Sequence, residues 1–127
     1  MLWPQVKPFV ERVLALDRIG RYEPVDILCS LLAGTTQLWI SWNPDEKVVE
    51  AATITEIINY PRAKELRIWL VSGRNMRAWV FEMRDLLEEF ARAHGCAAMT
   101  GAMREGWLRI GGAGWKKTGV TIEKDIR

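Results

Sequence analysis

The sequence predicts an α/β (α+β) fold: a mixed sheet with an antiparallel meander, a crossover helix and flanking helices. Three observations lead there. Residues 65–71 alternate with period two, and from Met76 the apolar period becomes that of a helix. Two further strand-like runs joined by a tight turn precede them. Two amphipathic helical stretches open the chain.

In the first helix Val6, Phe9, Val10, Val13 and Leu14 share one face, and the pattern ends near Asp17–Gly20. Pro24 suits the first turn of a second helix, with Val25, Leu28, Leu31 and Leu32 expected inward and Gly34 after its end. Residues 37–42 read as a strand, and Asn43-Pro44-Asp45-Glu46 as a turn, since Pro fixes φ and Asn and Asp bond their own backbone. Val48 to Tyr60 is a long strand ended by Pro61. In the next strand Leu66, Ile68 and Leu70 fall on one face, and Arg67, Trp69 and Val71 on the other.

The period changes at Ser72-Gly73-Arg74-Asn75. Met76, Trp79, Val80, Met83, Leu86, Leu87, Phe90 and Ala91 then follow helical spacing for four turns. Asn75 is a candidate cap, and Gly95 fits the left-handed position past the helix. Cys96–Met99 reads as a short buried strand, so this unit is expected to be a right-handed crossover between parallel strands. Residues 104–110 suggest a short helix, and 116–125 a last strand with Val120 and Ile122 on one side.

At 127 residues the chain is expected to be one domain, residues 1–127, burying about two-thirds of its unfolded surface. Its composition, 49% hydrophobic with seven Trp, excludes a disordered chain. No apolar run is long enough to span a membrane, and no signal-peptide pattern is present. Cys29, Cys96 and the single His94 are isolated, which predicts buried thiols, no disulfide, no metal and a reducing, cytoplasmic compartment. Residues 1–60 carry five Lys/Arg against eight Asp/Glu, and residues 61–127 carry thirteen against eight. A basic second half is compatible with an anionic ligand, nucleic acid or an acidic partner, and five net charges are equally those of a merely solvated surface.

The strand-to-helix turn is the natural anion site. A helix that starts where a strand ends turns its free N–H groups and positive dipole end outward. Ser72, Gly73, Arg74, Asn75, Met76 and Arg77 form this candidate site, with two guanidiniums adding charge. Among carboxylates, Glu56 lies mid-strand between Ile54 and Ile58, in a setting that suits a general base. A cross-strand ion pair with Arg67 is the structural alternative.

The element order resembles the GNAT fold of the N-acyltransferases. More narrowly, several segments are similar to small GNAT-like proteins of bacteriophages: Thr55-Glu56-Ile57 with Tyr60-Pro61-Arg62, Leu70–Arg74, Ala93–Cys96, Arg104-Glu105-Gly106-Trp107, and Gly114-Trp115 ahead of Thr121–Lys124. The resemblance implies transfer of an acyl group from acetyl-CoA to an amine. The pyrophosphate would lie on the 72–77 turn, and Glu56 would assist deprotonation. Two positions depart from the family. Aligned on Ala78, Gly73 stands where the pyrophosphate loop has Gln or Arg, and Met76 where it has its first Gly. The region that normally supplies a Tyr as general acid offers Trp107 and Trp115. The alternative is a GNAT-like binding or virion-associated protein without catalysis; a phage DNA-modifying enzyme is a weaker third. Expected partners are a small-molecule or protein amine and a second copy of the chain, or a virion protein under the alternative; no membrane is expected.

Overall fold

The computed structural model describes residues 2–103, 107–108 and 114–127. Helices α1 (Trp3–Leu14) and α2 (Pro24–Leu32) come first, followed by strands β1 (Gln37–Asn43), β2 (Val48–Asn59) and β3 (Lys64–Gly73). Helix α3 (Met76–Ala93) and strand β4 (Ala98–Gly101) complete the regular elements among the described residues. The sheet order is β1-β2-β3-β4, antiparallel except for the β3–β4 pair, which is parallel. Fold class and meander follow the sequence pattern.

The sheet has a core on each face. On one, α3 sets Trp79, Val80, Met83, Leu87 and Ala91 against Ala51, Leu66 and Ile68. On the other, Val6 and Val10 of α1 and Ile27 of α2 meet Ala52, Ile54 and Leu70. Because both faces are covered, neighbouring residues of β2 are buried in turn: Ala51 to one side, Ala52 to the other.

Strict alternation in β3 does not hold. Thr55 pairs with Ile68 and Ile54 with Leu70, so Trp69 is left over as a bulge. Leu66 and Ile68 face α3, whereas Leu70 joins Trp69 in the core beneath α1. A second bulge skips Glu50 of β2, where Ser41 pairs with Ala51 and Trp42 with Val49. One extra residue reverses the facing of everything beyond it, which period counting on a single strand does not reveal.

Other expectations need correction. In α2 the inward residue is Ile27, while Val25 is exposed and Leu32 is 76% exposed. The helix is short and apolar on most sides, so its pattern did not fix its phase. Leu86 is half-exposed beside buried Leu87. Cys29 is exposed and Cys96 half-buried, instead of buried. The fourth strand starts two residues later than expected, because α3 closes with a Schellman turn. Gly95 has φ +72°, its amide bonds to Arg92 O, and the Cys96 amide reaches back to Ala91 O. Residues 116–125 are not a strand. Ile122 is 90% exposed, and the segment is held by Glu123 on Arg21 while Arg127 donates to the carbonyls of Arg18 and Ile19. Side-chain anchors thus replace a ladder there. The helix expected over 104–110 lies outside the described residues, except for Trp107 and Leu108.

Leu87 is 3% exposed at the centre of the α3-side core. Leu87→Ala is expected to destabilise the protein by about 2–5 kcal/mol in chemical denaturation. A loss below about 0.5 kcal/mol would contradict this packing.

Candidate active site

Strand β3 runs into α3 through a turn built close against β2. A Cβ on Gly73 would lie 2.5 Å from Ala51 Cβ and 2.9 Å from Glu50 O. Glycine is therefore required by the neighbouring strand. Ser72 is buried opposite Ala52 of β2. The Arg74 amide donates to Glu50 O at 2.9 Å, which removes one of the N–H groups expected to be free. Asn75 occupies the cap position with φ 54° but makes no side-chain cap bond; its Nδ2 turns back to Glu50 Oε1 at 2.9 Å. Met76 packs its side chain against the α3-side core, and Arg74 and Arg77 are exposed. The Ala78 amide bonds to Asn75 O, which leaves the amides of Met76 and Arg77 without an acceptor among the described residues.

Glu50 is the residue that sequence reasoning missed. It is 6% exposed, and its Oε1 accepts from Asn43 Nδ2 as well as Asn75 Nδ2, both at 2.9 Å. These bonds, first from Asn43 and then from Asn75, hold its pKa below the ordinary carboxylate value, and the Arg74 charge adds to them. One side chain thereby ties the β1–β2 turn to the start of α3. Its only trace in the sequence is a charge between Val49 and Ala51.

Below the turn a cleft opens. The β3–β4 ladder covers Glu65–Ile68 against Ala98–Gly101 and stops at the Trp69 bulge. From Trp69 to Gly73 the outer edge of β3 has no strand beside it among the described residues. The cleft is about 670 Å³, with Val71, Val80, Met83 and Met99 inside and Lys116 and Lys117 at the C-terminal segment. Trp107 and Trp115 line it, where the resemblance expected a Tyr.

Glu56 does not line that cleft. Two residues beyond Ile54, it faces the other side of the sheet and forms a cross-strand ion pair with Arg67, its partner in the β2–β3 register. The Arg67 guanidinium lies 5.5 Å from the Trp69 ring centre, and Tyr22 meets the same ring edge-on at 4.9 Å. The bulge residue thus separates two surfaces: an apolar cleft under α3 and a charged, aromatic patch opposite. Tyr60 donates to Glu65, a contact that raises the pKa of its hydroxyl.

Because folding lowers the Glu50 pKa, its contribution is present above the ordinary carboxylate pKa and is lost as pH falls through the folded value. Stability of the wild type is expected to drop more steeply than that of Glu50→Gln between about pH 6 and pH 3. Parallel urea midpoints across that range would contradict a charged Glu50. Gly73→Ala is expected to cost about 2 kcal/mol or more in the same assay, since strand β2 must move to admit the methyl group.

No family model and no curated protein matches the sequence. Solved structures do. An aminoglycoside acetyltransferase from an uncultured soil metagenomic sample matches with TM-score 0.72 at 8% identity, over 98% of this chain and 88% of that one. Glucosamine-6-phosphate N-acetyltransferase from Arabidopsis thaliana matches with TM-score 0.67 at 12% identity, over 95% and 90%. A GNAT family acetyltransferase from Staphylococcus aureus matches with TM-score 0.59 at 14% identity, over 90% and 85%. At such identities the likeness is one of fold. With the meander, the bulged third strand, the crossover helix and the cleft beside it already established, the chain has the GNAT fold.

Proposed function

We propose that this protein is an acyl-CoA-dependent N-acyltransferase. The observation that carries the reading is the adjacency at α3: the amides of Met76 and Arg77, unpartnered among the described residues, and the exposed Arg74 and Arg77 lie one helical turn before Trp79 and Val80, which line an apolar cleft beside the bare edge of β3. Backbone amides and guanidiniums at a helix start suit a pyrophosphate. An apolar cleft suits the chain attached to it.

When bound, the thioester supplies an activated acyl group. The amine acceptor reaches it from the opposite surface, where Trp69 and Tyr22 give an aromatic wall. Glu56 exchanges its contact with Arg67 for the acceptor's ammonium and takes the proton, directly or through water. The C–N bond forms as the C–S bond breaks, the nitrogen gives up its second proton to water, and the leaving thiolate takes a proton from solvent. Tyr60 holds its proton but is committed to Glu65, so it is not assigned as the acid.

A second reading, a GNAT-like binding protein of the kind phages encode, is favoured by one observation. The Arg74 amide is spent on Glu50, and the Glu50 carboxylate lies behind the turn that would receive phosphate. Calorimetry with acetyl-CoA separates the two. The expected dissociation constant is on the order of 0.1 mM, and the double variant Arg74→Ala/Arg77→Ala is expected to bind roughly thirtyfold more weakly, about 1 kcal/mol per lost contact. Its unfolding midpoint should stay unchanged, because both side chains are exposed. Absence of binding at millimolar acetyl-CoA would overturn the acyltransferase reading.

A further inference from the structure

Thr53 lies mid-way along β2, opposite Val71 in the register. It is 1% exposed, and its Oγ1 has no hydrogen-bond partner among the described residues. Buried hydroxyls normally find one, because leaving the group dry and unpaired is unfavourable. Thr55, two residues on, shows the ordinary outcome: its Oγ1 donates to Gln37 Oε1 and accepts from Trp39 Nε1, both at 2.9 Å. Thr36 is likewise paired, with Ser30 Oγ at 2.8 Å.

What separates Thr53 from these is its position. It lines the cleft under α3, where Ile68, Val71, Val80 and Met83 beside it carry no polar side-chain group that would pair with a hydroxyl. The cleft also begins at the first turn of α3, since Trp79 and Val80 line it just beyond Met76 and Arg77. A ligand whose anionic end is held at those two amides has this apolar space about one helical turn further along α3. The part that enters must be largely aliphatic, yet bring a polar atom to meet a hydroxyl that has none.

We propose that Thr53 is a ligand-binding residue for the arm of an acyl-CoA, its hydroxyl donating to an amide carbonyl of the pantetheine chain. This rests on the acyltransferase reading. Pantetheine fits the requirement because it is an aliphatic chain interrupted by amides, whose carbonyls accept hydrogen bonds. The hydroxyl thus selects a donor with an amide in its arm over a plain hydrocarbon chain, which would leave the oxygen dry.

The test uses the full chain as wild type, Thr53→Val and Thr53→Ser, with acetyl-CoA and adenosine 3′,5′-bisphosphate as calorimetric probes. Thr53→Val is expected to weaken acetyl-CoA about fivefold, the loss of one neutral hydrogen bond, while adenosine bisphosphate binds as before. Thr53→Ser, which keeps the oxygen, should stay within about twofold of wild type for both probes. The unliganded Val variant should unfold at a midpoint no lower than wild type, because a methyl replaces an unpaired hydroxyl of the same shape. Equal acetyl-CoA affinity in wild type and Thr53→Val would overturn the Thr53 assignment and leave the acyltransferase reading standing. A clear fall in the Val variant's midpoint would overturn it too, by showing that the hydroxyl serves the fold. Failure of the wild type to bind acetyl-CoA would overturn both.

Discussion

The carboxylate of Glu50 is the constraint on which the rest of the site depends. It is placed by a bulge in β2, and it gathers side-chain amides from two different turns, Asn43 and Asn75, on one oxygen. Its backbone carbonyl takes the Arg74 amide as well. These bonds hold Asn75 in a left-handed conformation that a non-glycine residue rarely adopts, and they thereby set the direction in which α3 leaves the sheet. A buried anion near a helix start interacts favourably with the helix dipole. It also opposes a second anion arriving there, which is what makes the guanidiniums of Arg74 and Arg77 relevant to any phosphate bound at the turn.

The second determinant is the bulge at Trp69. By inserting one residue opposite the Ile54–Thr55 step, it turns Leu70 towards α1 while Ile68 stays under α3. The parallel ladder to β4 stops at the same place. A continuous ladder would fill the space along β3, whereas its interruption bares the strand edge and opens the cleft without exposing either core. Fold and site are therefore coupled through two irregularities, at Glu50 and Trp69, and not through the regular parts of the sheet.

Glu56 and Arg67 illustrate how a pattern gives two answers. Both are charged residues within apolar strands, which suggests catalysis and a structural pair alike. The register joins them face to face across β2 and β3. Their surface is shared with Trp69 and Tyr22, brought there from the bulge and from the segment between α1 and α2. Spacing along the chain carries no sign of that grouping.

By itself the sequence determined the types and order of the elements from α1 to β4, because periods of two and 3.6 are local consequences of backbone geometry. It also determined the break at residues 72–75, the glycine turn after α3, and the helix start that makes the turn a candidate anion site. Only the tertiary structure decided the α2 phase, the loss of a final strand over 116–125, and the surroundings of Glu50, Thr53 and Gly73. Each of these rests on atoms far apart in the chain: Asn75 meeting Glu50, a Cβ at Gly73 striking Ala51, and Thr53 lying beneath α3. A bulge moves one residue and reverses the facing of those beyond it, and whether it forms depends on the partner strand and the helices packed above, not on the strand's own residues.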